Sequence, residues 1–317
     1  MKKLFLSLGL LPFLAGAQTP CESGFADIYP CDNVDLWRFM DMNAIGGATN
    51  VNDIWGWTDP VSGREFALVG KSNGTAFVDV SVPGVPIYLG TLPTHTTNSL
   101  WRDIKVHGNY AYIVSEAGGH GMQVFDLTQL PLVENPPVAF TESAHYAGFG
   151  NAHNVVINEE TNFAVGVGSN TASGGLHFVD ISNPLEPVFA GDFAEDGYTH
   201  DAQIVIYSGP DQDHCGREIA FCSNENTVTI VDVTDKTDAF AIAIKPYSNS
   251  AYTHQCWLSE DQQYLYVNDE LDEMNGLTEQ TRTLIWDVRD LDNPLLIMEH
   301  QGVSTSIDHN LYVRSNL

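Results

Sequence analysis

Four of the eleven histidines in the sequence, His153, His200, His254 and His309, recur at intervals of 47, 54 and 55 residues. Each is followed by a residue able to hydrogen-bond an imidazole or a backbone group, namely Asn154, Asp201, Gln255 and Asn310. Neutral imidazole is the commonest protein ligand for Zn, Cu and Fe, and a neighbouring Asp, Asn or Gln can fix its tautomer. If the interval is a structural repeat, the four rings fall on equivalent positions of successive units and could meet around a divalent metal. The plainer reading is that each unit reuses one polar residue to hydrogen-bond the next. Two earlier units carry Asn52-Asp53 and Arg102-Asp103 at the same position. Glu116, Asn170, Glu225, Asp269 and Glu270 lie on turns expected at the same end of the units, so histidines ringed by carboxylates are expected there. The candidate metal ligands are therefore His153, His200, His254 and His309. The wider candidate ligand-binding set is Asp53, Arg102, Asp103, Glu116, Asp201, Glu225, Asp269 and Glu270.

The elements that position these residues are visible as a repeat of about fifty residues. FVDVS (Phe77 to Ser81), VFDLT (Val124 to Thr128), FVDIS (Phe178 to Ser182), IVDVT (Ile230 to Thr234) and IWDVR (Ile285 to Arg289) share one aspartate, at positions 79, 126, 180, 232 and 287. The histidine column opens a second apolar run in each unit. A third run appears as FALVG, YAYIV, FAVGV, IAFCS and YLYVN, and a fourth as PIYLG, PVAF, PVFAG, FAIAI and PLLIM. Four short β-rich segments per fifty residues, separated by Gly, Asn, Asp and Pro turns and without long helical periodicity, predict a β-propeller of four-stranded blades. A β-sandwich array lacks such a strict beat. The first strand of each blade lines the axial channel, which would place the histidine column at one mouth.

The aspartate motif resembles the LVIVD repeat. The wider text resembles the secreted choice-of-anchor B family, carried by Asn52 to Gly70, Thr75 to Thr96, Gly216 to Asp235, Thr253 to Asp261 and Ser306 to Val313. That resemblance implies a propeller at the cell surface or outside the cell and implies no particular activity. Aligning His309 to Leu317 with Arg102 to Tyr110 gives five complete repeats and the start of a sixth. On this alignment the chain is expected to be a truncated seven-bladed ring without its C-terminal anchoring region. Asp35 to Asp41 is expected to supply a lone fourth strand to the last blade.

Lys2-Lys3, the apolar run to Ala17 and the closing Ala15-Gly16-Ala17 predict a secretory signal peptide over residues 1–17, too short to span a bilayer. Residues 18–34 are expected to form an N-terminal loop with a Cys21/Cys31 bridge, and 35–317 the propeller. Cys215, Cys222 and Cys256 allow at most one further bridge, with the pairing open. A formal charge of −28 from 41 acidic and 13 basic residues argues against nucleic acid or anionic lipid as partners, because both require a basic surface.

Weaker signals are read structurally. The repeated aspartates precede Ser, Thr, Arg or Asn and suit Asx turns. Gly70-Lys71-Ser72-Asn73-Gly74 matches G-x-S-x-G but is followed by a strand where a nucleophile elbow needs a helix. Asn268 to Gly276 is acidic but lacks the ligand spacing of an EF-hand and reads as a solvated loop able to hold Ca²⁺ weakly. Most tryptophans are expected in the cores, with Trp57 and Trp101 as candidates for stacking on a sugar. The expected function is a secreted or surface-displayed module binding an unidentified protein or small ligand. The alternative is a metal-dependent enzyme built on the four histidines, with Zn, Cu, Fe or Ca as the candidate ion.

Overall fold

The structure is a computed structural model and describes residues 18–314; the expected signal peptide lies outside these residues. Short runs rich in Val, Ile, Phe, Tyr and Thr between turn residues favour strands, and each fifty-residue unit folds into an antiparallel four-stranded meander. Blade 1 comprises Val51–Thr58, Glu65–Lys71, Gly74–Asp79 and Ile87–Pro93; blade 2 comprises Arg102–His107, Tyr110–Ser115, Met122–Asp126 and Ala144–Tyr146. Blade 3 is Asn154–Ile157, Phe163–Val167, Leu176–Asp180 and Val188–Phe193. Blade 4 is Asp201–Ile206, Glu218–Asn224, Thr227–Asp232 and Phe240–Pro246, and blade 5 is Thr253–Leu258, Tyr264–Asp269, Arg282–Asp287 and Leu295–Gln301. The first strands of successive blades are neighbours, which is the propeller arrangement expected from the repeat.

Apolar side chains alternate onto the two faces of each sheet and meet those of the next blade. Phe66, Leu68 and Phe77 of blade 1 pack on Ile104, Ile113 and Phe125 of blade 2, and Phe221 and Ile230 of blade 4 pack on Leu265, Leu284 and Trp286 of blade 5. At about 1.5–3 kcal/mol for each fully buried large apolar side chain, these wedges outweigh any single polar tie between blades. Trp57 belongs to such a wedge, against Phe66, and is not available for stacking on a ligand.

The five repeated aspartates make the same turn in every blade. Asp79, Asp126, Asp180, Asp232 and Asp287 each accept a hydrogen bond from the backbone N–H two residues on, at 2.8–3.1 Å. Gly70 to Gly74 forms the hairpin between the second and third strands of blade 1, as its following strand required.

Two expected strands are corrected. Pro137 to Phe140 does not supply the fourth strand of blade 2. Instead Val138–Ala139 pairs in parallel with Gly90–Thr91 and adds a fifth strand to blade 1, and the chain returns as Ala144–Tyr146 to complete blade 2. Pro136 and Pro137 have no N–H to give to a ladder. Gly90, at φ +148°, leaves the room the extra strand needs, since a Cβ there would lie 1.9 Å from the Val138 carbonyl oxygen. Likewise Asp35 to Asp41 forms no blade strand. Met40 and Ile45 instead pack on Ala76 and Val78 of blade 1, where burying apolar surface replaces ladder bonds. Cys21 and Cys31 are disulfide-bonded, while Cys215, Cys222 and Cys256 are free thiols.

Candidate functional site at the histidine mouth

His153, His200 and His254 stand at the start of the first strands of blades 3, 4 and 5, His309 lies in the strandless segment after blade 5, and the four rings form a staircase. Ring centroids are 4.4 Å apart for His153 and His200, 4.1 Å for His200 and His254, and 4.3 Å for His254 and His309. All four line a cavity of about 60 Å³ with Asn52, Asp53, Trp101, Arg102 and Asp103, large enough for a water or an ion. Trp101 is 41% exposed and lies beside His153, so the aromatic surface at the mouth is Trp101.

Each buried ring is also a tie, from blade 4 to blade 5 for His200 and from blade 5 to the segment that follows it for His254. His200 Nδ1 donates to the carbonyl oxygen of His254 at 2.8 Å, and His254 Nδ1 donates to that of His309 at 3.1 Å. These bonds commit Nδ1 as the protonated nitrogen and leave Nε2 with a free lone pair. Burial, reinforced by neighbouring imidazoles, depresses His200 to about 3 and His254 to about 2, so both rings are neutral at physiological pH. His153 Nδ1 hydrogen-bonds Glu116 Oε1 at 2.7 Å.

Glu270 reaches two of the rings. Its carboxylate oxygens lie 3.7 Å from His254 Nε2 and 4.0 Å from His309 Nε2, and donor atoms of these three residues lie within 4.8 Å of one another. Metal bonds of about 2.0–2.1 Å place tetrahedral donors about 3.3 Å apart, so the two Glu270 contacts would shorten by about 0.4 and 0.7 Å on closing around an ion. His200 and His153 continue the stack beyond it.

The residues one position further along the strands form a second tier that stitches the blades. Asp53 accepts from the Ile104 N–H at 2.9 Å and Asp103 from the Val155 N–H at 2.8 Å, while Asn154 Nδ2 donates to the His200 carbonyl at 3.1 Å. Gln255 accepts from the Leu311 N–H at 2.7 Å, which sets the segment after blade 5 alongside its first strand. Tyr312 then packs between Trp257 and Trp55, joining blade 5 to blade 1. Lys105 Nζ lies 2.7 Å from Asp103 and 4.6 Å from the Trp55 ring centroid. Although burial opposes its charge, Asp103, Asp53 and Asp201 hold this ammonium above its ordinary range. Burial pushes Asp53 and Asp201 up to about 7, with Asp103 adding to both.

The other expected site residues divide clearly. Asp269 is fully buried and accepts from Tyr247 Oη and the Ala251 and Tyr252 N–H groups, so it supports the loop. Asn170 accepts from the Gly150 N–H, and Glu225 contributes a backbone bridge to Thr253. Arg102 is buried, and no carboxylate among the described residues lies within ion-pair reach of it. Nε donates to the Lys71 carbonyl at 3.0 Å and Nη1 to His120 Nε2 at 3.0 Å, while Nη2 has no partner. The sequence placed His120 outside the column, and nothing in its spacing signals this contact.

The LVIVD repeat family matches residues 101–119 and 150–195, so these two segments are similar to the LVIVD repeat. No curated protein matches the sequence. Among solved structures, a candidate 6-phosphogluconolactonase from Bacteroides uniformis is 13% identical at a TM-score of 0.54, covering 78% of this chain and 71% of that one. A functionally unknown protein from Desulfotomaculum acetoxidans is 10% identical at 0.51, covering 78% and 70%. The Cps50 (Swd1) β-propeller domain from Myceliophteria thermophila is 15% identical at 0.45, covering 75% and 69%. Likeness at these identities concerns the fold alone.

Proposed function

We propose that this LVIVD-repeat propeller is a secreted or surface-displayed binding module of the choice-of-anchor B type, with a divalent transition metal held at its histidine mouth. The observation that carries the reading is the use of Nδ1. His200 and His254 both spend that nitrogen on a backbone carbonyl, leaving a neutral ring whose Nε2 is the available donor, with Glu270 beside it. His254, His309 and Glu270 would hold the ion, and His200 and His153 would extend the site. The bound metal would supply a Lewis-acidic position for an oxygen or nitrogen donor of the ligand. Export is supported by the charged and apolar character of residues 1–17 and by the Cys21–Cys31 disulfide, which suits an oxidising compartment.

The test is metal analysis of secreted protein, followed by calorimetric titration of the metal-free form with Zn²⁺. One bound ion in the wild type, with affinity lowered at least tenfold in His254→Ala and in Glu270→Gln, supports the site. Zn²⁺ uptake unchanged in both folded variants would overturn it.

A further inference from the structure

Beside the histidine mouth, Asn268 at the end of the second strand of blade 5, the acidic loop that follows it to Gly276, and Asp308 form a second cluster with a different donor chemistry. Asn268, Asp272 and Asp308 are all at least nine-tenths buried. In Asn268, Asp272, Glu273 and Asp308, one atom is held by the fold and one oxygen has no partner among the described residues. Asp272 Oδ2 accepts from Arg282 Nε at 2.7 Å, while Oδ1 has no partner. Glu273 Oε1 accepts from the Arg282 backbone N–H at 3.0 Å, while Oε2 has none. Asn268 Nδ2 donates to Asp308 Oδ2, and this leaves both Asn268 Oδ1 and Asp308 Oδ1 unmatched. Carboxylate oxygens of Asp272, Glu273 and Asp308 lie within 4.8 Å of one another.

An unpartnered buried oxygen costs about 1–3 kcal/mol, so four of them in this cluster favour a compensating cation. Arg282 neutralises only part of the charge, because it is shared between Asp272 and Glu299. The remaining donors are all hard oxygens, with no imidazole or thiol among them. Three carboxylates and an amide oxygen suit a cation that takes oxygen ligands in a flexible geometry, which is the preference of Ca²⁺. Zn²⁺ and Cu²⁺ would favour the histidines instead.

We infer that Asn268, Asp272, Glu273 and Asp308 form a Ca²⁺ site that fastens the chain segment after blade 5 to the long loop of that blade. The site stands independently of the metal reading of the histidine mouth, but it adjoins it. Asp308 immediately precedes His309, and Glu270 lies two residues before Asp272. A Ca²⁺ ion here would hold both of those donors in place. The sequence showed the acidic loop but not its partner, since Asp308 is 32 residues beyond Gly276.

The experiment is a Ca²⁺ titration of the EDTA-treated full chain, by calorimetry and by thermal unfolding. The expected result is one Ca²⁺ per chain and a melting temperature raised by several degrees in 1 mM Ca²⁺. Both effects should be lost or weakened at least tenfold in Asp308→Asn. Glu273→Gln, at a less buried position, serves should Asp308→Asn fail to fold. His254→Ala should keep Ca²⁺ binding, which separates this site from the histidine mouth. Absence of Ca²⁺ binding, binding unchanged in the carboxylate variants, or an equal effect of Mg²⁺ would each overturn the assignment.

Discussion

The His200 imidazole donates from Nδ1 to the carbonyl oxygen of His254 while the two rings stand 4.1 Å apart. One side chain thus ties blade 4 to blade 5 and at the same time selects which nitrogen is left for a ligand. The structural and ligand-binding readings of the column are therefore compatible: the tie fixes the tautomer that a metal requires.

Buried neutral imidazoles make stability depend on pH in a definite direction. His120, His200 and His254 are depressed to about 4, 3 and 2 by burial, below the unfolded value of about 6.5. As pH falls below 6.5 the unfolded chain takes up these protons first, so stability is lost by about 1.4 kcal/mol per pH unit for each ring. His120→Gln removes one of the three. Chemical denaturation should find this variant gaining on the wild type between pH 7 and 5, and a pH-independent difference would contradict the assignment.

Asp201 should behave in the opposite sense. Its carboxyl is held at about 7 by burial, above the unfolded value, so the folded chain keeps a proton that the unfolded chain has released. Its contribution is present below about pH 4 and lost as pH rises through 7. Asp201→Asn should gain stability relative to the wild type between pH 4 and 8, by about 1 kcal/mol or more. Denaturation midpoints at those two pH values check the sign.

Arg102→Lys should be destabilising despite the retained charge. A lysine cannot reproduce the two directed bonds from Nε and Nη1 to the Lys71 carbonyl and His120. Leaving either acceptor buried and unmatched costs about 1–3 kcal/mol, to be read from urea denaturation at pH 7. An unchanged midpoint would show that Arg102 is not held by these bonds.

Much of this architecture was legible because a propeller repeats its pattern. Alternating apolar residues gave the strands, and the aspartate turns Asp79 to Asp287 recurred because each blade needs the same Asx bond. What escaped the sequence was non-periodic. Val138–Ala139 joins blade 1 although it follows the third strand of blade 2, and no local pattern distinguishes one sheet edge from another. His120 meets Arg102, and Asp308 meets Asn268, through the fold rather than through spacing. Trp57 stands near a strand end but is 6% exposed, because it packs on Phe66 in the apolar wedge between blades 1 and 2.

Gly90 and Gly191 occupy the same bulged position opposite Phe77 and Phe178, where blades 4 and 5 carry Ala243 and Met298. The bulge therefore tolerates a side chain, and the glycines answer a close backbone approach. A Cβ at Gly191 would lie 1.8 Å from the Lys236 carbonyl oxygen, and its φ of +145° is unfavourable for other residues. Gly90→Ala and Gly191→Ala should each cost about 2 kcal/mol or more, while Ala243→Gly should cost about 1 kcal/mol or less. Thermal unfolding of the three variants distinguishes the two explanations.

The fifth strand of blade 1 also fixes an order of events during synthesis. Val138–Ala139 leaves the ribosome only after the first three strands of blade 2, so the first blade waits for the second before its edge is sealed. Until then the Ile87–Pro93 edge is open to pairing with other chains, a hazard of any exposed strand. The smallest self-sufficient nucleus of this ring is accordingly a pair of blades rather than one, and a nascent chain arrested between Pro93 and Val138 should be the species most in need of a chaperone.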